Sequence, residues 1–431
     1  MLKRKIYDNL VAWKERETRL PLVIKGARQV GKTYIIDLFA KNSYERYIRI
    51  NFVETPSAIS IFDGELDSVN ILKQISLKVR DADVIPGNTL LFLDEIQECP
   101  KARAALKFLA EDDRIDVIAS GSLLGINYKQ VPSFPVGYTQ QLDMHSLDFE
   151  EFLWACGVSA DVIADLRLCY ERREKVPPVI HDRMMELFRE YIVVGGMPNV
   201  VSNFVEHNDF AEVLRIQRGI LDDYEADIAK YAEGNEKAKA RACFLSIPRH
   251  LAKDYKKFQY SLVEPRGTST RFAGSLMWLY DAGIINFCYN LELPELPFEG
   301  NVNEGCFKVY MRDTGLLVAM LEDGSQEDII DGNLGIYKGA VYENIIADVF
   351  TKSGKKLYYF EHKSQLEMDF MIRYKRELTA VEVKSADNTK AKSMSSMIEN
   401  WHVKHGIKLS SKNVGGTEKV DSFPLYMAMF I

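Results

Sequence analysis

The stretch Gly26-Ala27-Arg28-Gln29-Val30-Gly31-Lys32-Thr33 follows directly on the apolar run Leu22-Val23-Ile24. It fits the pattern G-x-x-x-x-G-K-[ST], which leaves a chain few choices: a strand must end in a loop of inward-facing backbone N–H groups, and the loop must open into a helix. The glycines let the backbone approach an anion without Cβ clashes, and the helix N-terminus adds partial positive charge. Lys32 is placed to reach β- and γ-phosphates, and Thr33 to offer its hydroxyl to Mg²⁺. The alternative is an ordinary Gly-rich strand-to-helix turn. Against it stands Tyr34-Ile35-Ile36-Asp37-Leu38-Phe39-Ala40, which reads as the opening of an amphipathic helix.

Leu90-Leu91-Phe92-Leu93-Asp94-Glu95 is an apolar run that ends in two carboxylates. Such a run reads as a strand buried on both faces of a parallel sheet. Ligands of open α/β sheets bind at the carboxyl ends of the strands, so Asp94 is expected to hold Mg²⁺ and Glu95 to polarise an attacking water. An acidic strand end that only caps the next segment is the other reading. With the phosphate loop upstream, ATP hydrolysis is expected rather than nucleotide storage. Strands are placed at Leu22–Ile24, Ile48–Phe52, Leu90–Leu93, Ile115–Ala119 and Thr139–Met144, alternating with helices as in a βαβ sheet. The fourth ends in Ser120-Gly121-Ser122, where Ser120 or Ser122 is either a γ-phosphate sensor or a plain turn residue.

The chain of 431 residues exceeds one core, and its 47% hydrophobic and 27% charged residues are those of a globular protein. A net charge of −7 argues against a surface that coats nucleic acid throughout, while leaving room for a local basic patch. No apolar segment reaches bilayer length, so no membrane partner is expected, and Met1-Leu2-Lys3-Arg4-Lys5 leads into polar sequence rather than a signal core. Six scattered cysteines without a C-x-x-C pair fit the reducing cytoplasm.

After Ser146 the pattern turns helical, with Phe149, Phe152 and Leu153 on one stripe and Gly195-Gly196-Met197-Pro198 as a turn between helices, the composition of a lid. From Glu236 to Asn290, nine basic residues face four acids, a local excess of +5. A helix after Thr268-Ser269-Thr270 would carry Phe272, Leu276 and Leu279, end at Gly283 and lead into the strand Ile284–Phe287. Helices followed by a strand pair suggest a winged helix, either DNA-reading or a connector, and the charge favours DNA.

The last hundred residues read as αβββαβ. The helix spans Tyr337–Phe350 with Glu343, and strands follow at Leu357–Glu361, Leu366–Ile372 and Leu378–Lys384. A helix at Ala391–His402 and strands at Ile407–Ser410 and Leu425–Phe430 complete the order. A hairpin turning at Lys375-Arg376 would set Asp369 opposite Glu382, like charges that need a cation between them. Lys384 shares the face of Glu382. Two carboxylates on a divalent cation, with a lysine to steady water, suit a metal-dependent phosphodiesterase. A surface hairpin with Glu367 paired to Lys384 is the alternative.

With these motifs, and with Leu147-Asp148-Phe149-Glu150-Glu151-Phe152, Phe307–Leu317, Asp369-Phe370 and Glu382-Val383-Lys384, the chain resembles bacterial and archaeal ATPases that join an AAA-type P-loop domain to a C-terminal domain similar to PD-(D/E)xK nucleases. The resemblance implies an α/β fold: a P-loop core over 1–145, a helical lid over 146–235, a winged-helix-like segment over 236–325 and a nuclease-like domain over 326–431. It implies ATP and Mg²⁺ at the first site, and Mg²⁺ or Mn²⁺ at Glu343, Asp369, Glu382 and Lys384. DNA and self-association through the ATPase domain are the expected partners. Gly137-Tyr138 stands where many relatives carry Gly-Arg, and Met368 stands where the nuclease motif has its proline. A rival reading is an ATP-switched scaffold whose C-terminal domain binds a partner without cleavage.

Overall fold

Leu22-Val23-Ile24 forms the strand expected of it, β1 (Leu22–Lys25), between helices α1 (Lys5–Lys14) and α2 (Lys32–Ser43). There follow β2 (Arg46–Asn51), α3 (Ser68–Lys78), β3 (Thr89–Asp94), α4 (Pro100–Leu109), β4 (Asp116–Gly121) and β5 (Gln140–Asp143). The five strands pair in the order β2-β3-β4-β1-β5, all parallel. Every residue of β3 is buried, as a strand covered on both faces requires. One side of the sheet packs Ile48, Ile50, Phe52, Leu91 and Leu93 against Phe62, Ile75 and Leu106. The order brings the tips of β1, β3 and β4 side by side, which places the phosphate loop, Asp94 and Ser120 at one edge of the sheet.

The computed structural model describes residues 2–122, 137–231, 236–253, 256–332, 338–363, 366–384 and 392–431. Glu233, Asp254 and the expected helix starts Tyr337 and Ala391 lie outside them. The chain divides into two compact units: Arg4–His145 with Asp281–Gly283, and Ser146–Tyr280 with Ile284–Ile431 and the first three residues.

The second unit begins with helices α5 (Phe149–Ala155), α6 (Ala160–Arg172), α7 (Pro178–Val194), α8 (Pro198–His207), α9 (Phe210–Tyr231), α10 (Glu236–Leu251), α11 (Tyr260–Val263) and α12 (Ser269–Asp281). Asp148 and Glu151 close a capping box on α5. The motif residues around them are structural. Asp313 accepts hydrogen bonds from the Ser146 hydroxyl at 2.8 Å, the Gly196 N–H at 2.9 Å and the Leu316 N–H at 3.2 Å. One buried carboxylate thus ties the entry to α5, the α7–α8 turn and the start of α13 (Thr314–Ala319).

The strands β6 (Ile285–Leu291) and β7 (Val302–Met311) pair antiparallel, with α12 burying Phe272, Leu276 and Leu279 as expected. After α14 (Ser325–Ile330) and α15 (Lys338–Lys352) come β8 (Leu357–His362), β9 (Leu366–Met368), β10 (Phe370–Tyr374) and β11 (Glu377–Val383). Next are α16 (Lys392–Asn400), β12 (His405–Ser410), β13 (Gly415–Gly416) and β14 (Val420–Pro424).

Three expectations change here. The β6–β7 pair is not a free-standing wing, because β8 pairs in parallel with β6 in the sheet β7-β6-β8-β9. Leu366–Ile372 is not one strand: it breaks at Asp369, so that β9 joins that sheet while β10 joins the sheet β10-β11-β12-β14-β13. Leu425–Phe430 is a 3₁₀ helix and the last long strand lies earlier, at β14. Leu425, Tyr426, Met427 and Ala428 are buried in succession, which a strand exposed on one face does not allow, whereas Val420–Phe423 alternates.

Candidate active site

The first site grows from the loop between β1 and α2. Gly31 starts α2 with φ of 92°, a conformation open to glycine and costly for other residues. A Cβ on Gly26 would lie 2.2 Å from the Met144 carbonyl oxygen, so the loop base has room for glycine alone. Ala27 and Val30 are buried, Gln29 takes a positive φ of 66°, and Arg28 lies on the exposed side. The Lys32 ammonium donates to the carbonyls of Gly26 at 2.9 Å and Ala27 at 2.8 Å. Burial lowers its pKa to about 8, against the opposing pull of Glu95 and Asp94.

Asp94 is the hub of this edge. Its side chain is 1% exposed and accepts from Thr33 Oγ1 at 3.1 Å, Asn51 Nδ2 at 3.0 Å, Arg49 Nη2 at 2.9 Å and Ser120 Oγ at 2.5 Å. Glu95 turns away from the strand with φ of 54° and accepts from Gln97 Nε2 at 2.5 Å. Ser122 sits on the bend beyond β4. The structure therefore joins Lys32, Thr33, Asp94, Glu95 and Ser120, and it adds Arg49, Asn51 and Gln97. The signal for Arg49 and Asn51 was the alternation of β2, which sets them on one face at its carboxyl end.

The second candidate lies where β7, α15, β9, β10 and β11 meet. In the β10–β11 hairpin Phe370 faces Val381 and Tyr374 faces Glu377, the register expected for a turn at Lys375-Arg376. One residue further, Asp369 stands at the break and accepts the Val383 N–H at 2.7 Å. Glu343 is buried and is held by Lys256, by Lys308 at 3.6 Å and by the Tyr310 hydroxyl at 3.1 Å. Lys308, 1% exposed, also reaches Glu367 at 2.5 Å. Lys384 pairs with Glu382 Oε1 at 2.5 Å, while Glu382 Oε2 is buried and finds no hydrogen-bond partner among the described residues.

Burial alone would raise the Glu343 carboxyl, but Lys308 and Lys256 outweigh it and hold the group below its ordinary range. Burial and then the Glu343 charge push Asp369 up to about 7. Burial would likewise lower Lys308, but Glu343, Glu367 and Asp369 raise it well above the ordinary lysine range. The positive charge at these carboxylates thus comes from Lys308 and Lys256 as well as from Lys384. Lys256 belongs to the basic 236–290 segment expected to face DNA, but its ion pair with Glu343 places it in this cluster. Among the described residues, no three acidic, histidine or cysteine side chains are grouped to hold a metal ion.

Comparison with known proteins gives three family-model matches. Residues 18–153 match the AAA domain, residues 185–327 a domain of unknown function (DUF8612), and residues 338–422 a second domain of unknown function (DUF4143). The first match and the parallel sheet agree: this region is an AAA-type P-loop domain. Comparison with curated proteins finds no match. Among solved structures the chain is similar to the Walker-type ATPase paby2304 of Pyrococcus abyssi, at 13% identity, 74% of this chain, 96% of that one and a TM-score of 0.44. It is also similar to ORC1 of Aeropyrum pernix in complex with DNA, at 12% identity, 76% and 90% coverage and a TM-score of 0.29. Neither likeness is close enough to carry a role across. Among the described residues, no helix is long and apolar enough to cross a membrane.

Proposed function

We propose that the AAA-type domain binds and hydrolyses ATP with Mg²⁺, and that nucleotide state acts on a DNA-facing module in the second unit. The observation that carries this reading is the meeting of the Thr33 hydroxyl and the Asp94 carboxylate, 3.1 Å apart, beside the buried Lys32 ammonium. Thr33 and Asp94 are hard oxygen donors of the kind that, with substrate phosphates, hold Mg²⁺. The bound ion would neutralise charge on the transferring phosphoryl group. The loop N–H groups from Gly26 to Thr33 cradle the phosphates, and Lys32 exchanges two carbonyl dipoles for full negative charge. Glu95, oriented by Gln97, accepts a proton from the attacking water. Ser120 steadies Asp94 and, with Ser122, senses the γ-phosphate.

Lys253 and Lys257 remain the natural phosphate contacts of the 236–290 segment, and DNA is the partner they suit. The residues of the second centre, as they stand, fit internal lysines better than a metal ion, although the orphaned Glu382 Oε2 is an acceptor still to be filled. The lysines on Glu343 favour a nuclease-like domain that binds without cleaving. ATP turnover by the purified protein, measured with and without DNA, tests the whole: turnover stimulated by DNA supports the reading. Slow turnover indifferent to DNA supports a nucleotide-switched scaffold, and failure to bind nucleotide removes both.

A further inference from the structure

Arg49 has no role in the chemistry described above, yet it holds the residue on which that chemistry depends. Its Nη2 lies 2.9 Å from Asp94 Oδ2, the oxygen that also takes Thr33 and Asn51. Two more carboxylates flank the same guanidinium, Glu54 Oε1 at 3.2 Å and Asp37 Oδ2 at 3.9 Å. Both are more exposed than Asp94, at 64% and 27% against 1%. Arg49 is itself 28% exposed, and among the described residues its buried Nε finds no acceptor. The guanidinium is therefore fixed by Asp94 on one side and incompletely satisfied on the others.

We propose that Arg49 is an internal counter-cation for Asp94 that incoming Mg²⁺ has to displace, so that it sets the metal concentration at which the site takes nucleotide. The inference rests on Asp94 as a Mg²⁺-holding residue. A buried carboxylate cannot remain uncompensated at low cost, and Arg49 supplies compensation until the ion arrives. Asp94, with Thr33, would hold the ion, directly or through water, and the charge-assisted hydrogen bond from Arg49 would have to loosen for the carboxylate to do so. Glu54 and Asp37 then receive the released guanidinium without a change of strand or helix. Arg49 is a positioning residue: it acts through Asp94.

The test is binding of a fluorescent ATP analogue at graded MgCl₂, from chelated to saturating, in wild type, Arg49→Met and Arg49→Lys, with thermal melts to confirm folding. In the Met variant the half-saturating Mg²⁺ concentration falls by about tenfold to a hundredfold, the equivalent of one hydrogen bond to a charged group. Affinity in chelator does not rise. Arg49→Lys, a point charge on a shorter reach, shifts the threshold in the same direction by less, and it carries the test if the Met variant does not fold. An unchanged threshold overturns the proposal, as does a raised threshold with weakened binding in chelator, which would make Arg49 a phosphate contact. Wild-type binding indifferent to Mg²⁺ overturns it together with the role given to Asp94; a Mg²⁺-dependent wild type with an unshifted variant overturns the displacement alone.

Discussion

Two regions of this molecule bury carboxylates and supply the compensating charge from within, and they do so differently. At Asp94 the cation is Arg49, partly exposed and flanked by Glu54 and Asp37, to which it can turn. At Glu343 the cation is Lys308, 1% exposed, and its departure would strand Glu343 with only Lys256 and leave Glu367 without its buried partner. The first arrangement suits exchange, and the second suits holding. The two buried lysines show the same contrast. Lys32 contacts carbonyl oxygens and burial lowers it to about 8, whereas Lys308 contacts carboxylates and is raised despite equal burial. What surrounds a buried cation decides whether it is spare charge for a ligand or part of the frame.

The largest expected effect lies at the exchangeable site. Glu95→Gln keeps the shape of the side chain but removes the proton acceptor, and kcat for ATP is expected to fall about 10²–10⁴-fold with nucleotide affinity retained. Lys32→Ala is expected to lose affinity as well as turnover, because it removes the charge the phosphates recruit. Equal losses of affinity in both variants, read by equilibrium binding, would break the division between binding and chemistry.

The holding site is probed next. Lys308→Met leaves the buried Glu343 with Lys256 as its compensating cation and Glu367 without its lysine, and it is expected to cost about 3 kcal/mol in urea unfolding of the second unit. Adding Glu343→Gln should recover part of that loss, since the amide needs no counter-charge. A Lys308→Met protein as stable as wild type would show that the cluster is solvated and exchangeable after all. Mn²⁺ sharpens the same point at smaller amplitude. Wild type is expected to show no rise in melting temperature with added Mn²⁺ attributable to Asp369 and Glu382, so the Asp369→Ala protein responds as wild type does. A rise that disappears in Asp369→Ala would mean that the ion, and not the lysines, is the natural occupant.

What could be read from the chain follows from how contiguous each signal is. The phosphate loop, Asp94-Glu95 and Ser120 sit on strand ends whose apolar runs identify them, and β1, β3 and β4 follow from the same runs. Arg49 was hidden because Arg46-Tyr47-Ile48-Arg49 reads as an ordinary half-exposed strand, and its partner Asp94 is distant in sequence. Lys308 was hidden for the opposite reason: it occupies an inward position of β7, where a pattern of polar residues outward gives no cue. The β10–β11 register was legible once the turn between the two strands was placed at Lys375-Arg376, and both of those residues take positive φ. The break at Asp369 was not, since Leu366-Glu367-Met368-Asp369-Phe370 alternates apolar and acidic residues as one unbroken strand would. Leu425–Phe430 failed because a short apolar run does not distinguish a buried strand from a buried helical turn.

The smallest effect tests the contrast between the two lysines without a mutation. Lys32 is lowered to about 8 in the free protein, so above that pH it is largely neutral. Phosphates favour its charged form, and nucleotide binding above pH 8 must then take up a proton. Each unit of pH beyond the free value costs about tenfold in affinity. Affinity for MgATP should therefore fall about tenfold between pH 7 and pH 9. Proton uptake approaching one per site at pH 9 should appear in calorimetric titrations in two buffers of different ionisation enthalpy. The sign is the informative part: a lysine raised by carboxylates, like Lys308, would stay charged across this range and give neither effect. Affinity that is flat from pH 7 to 9 with no proton uptake would place Lys32 in the same class as Lys308, and the distinction between exchange and holding would lose its clearest support.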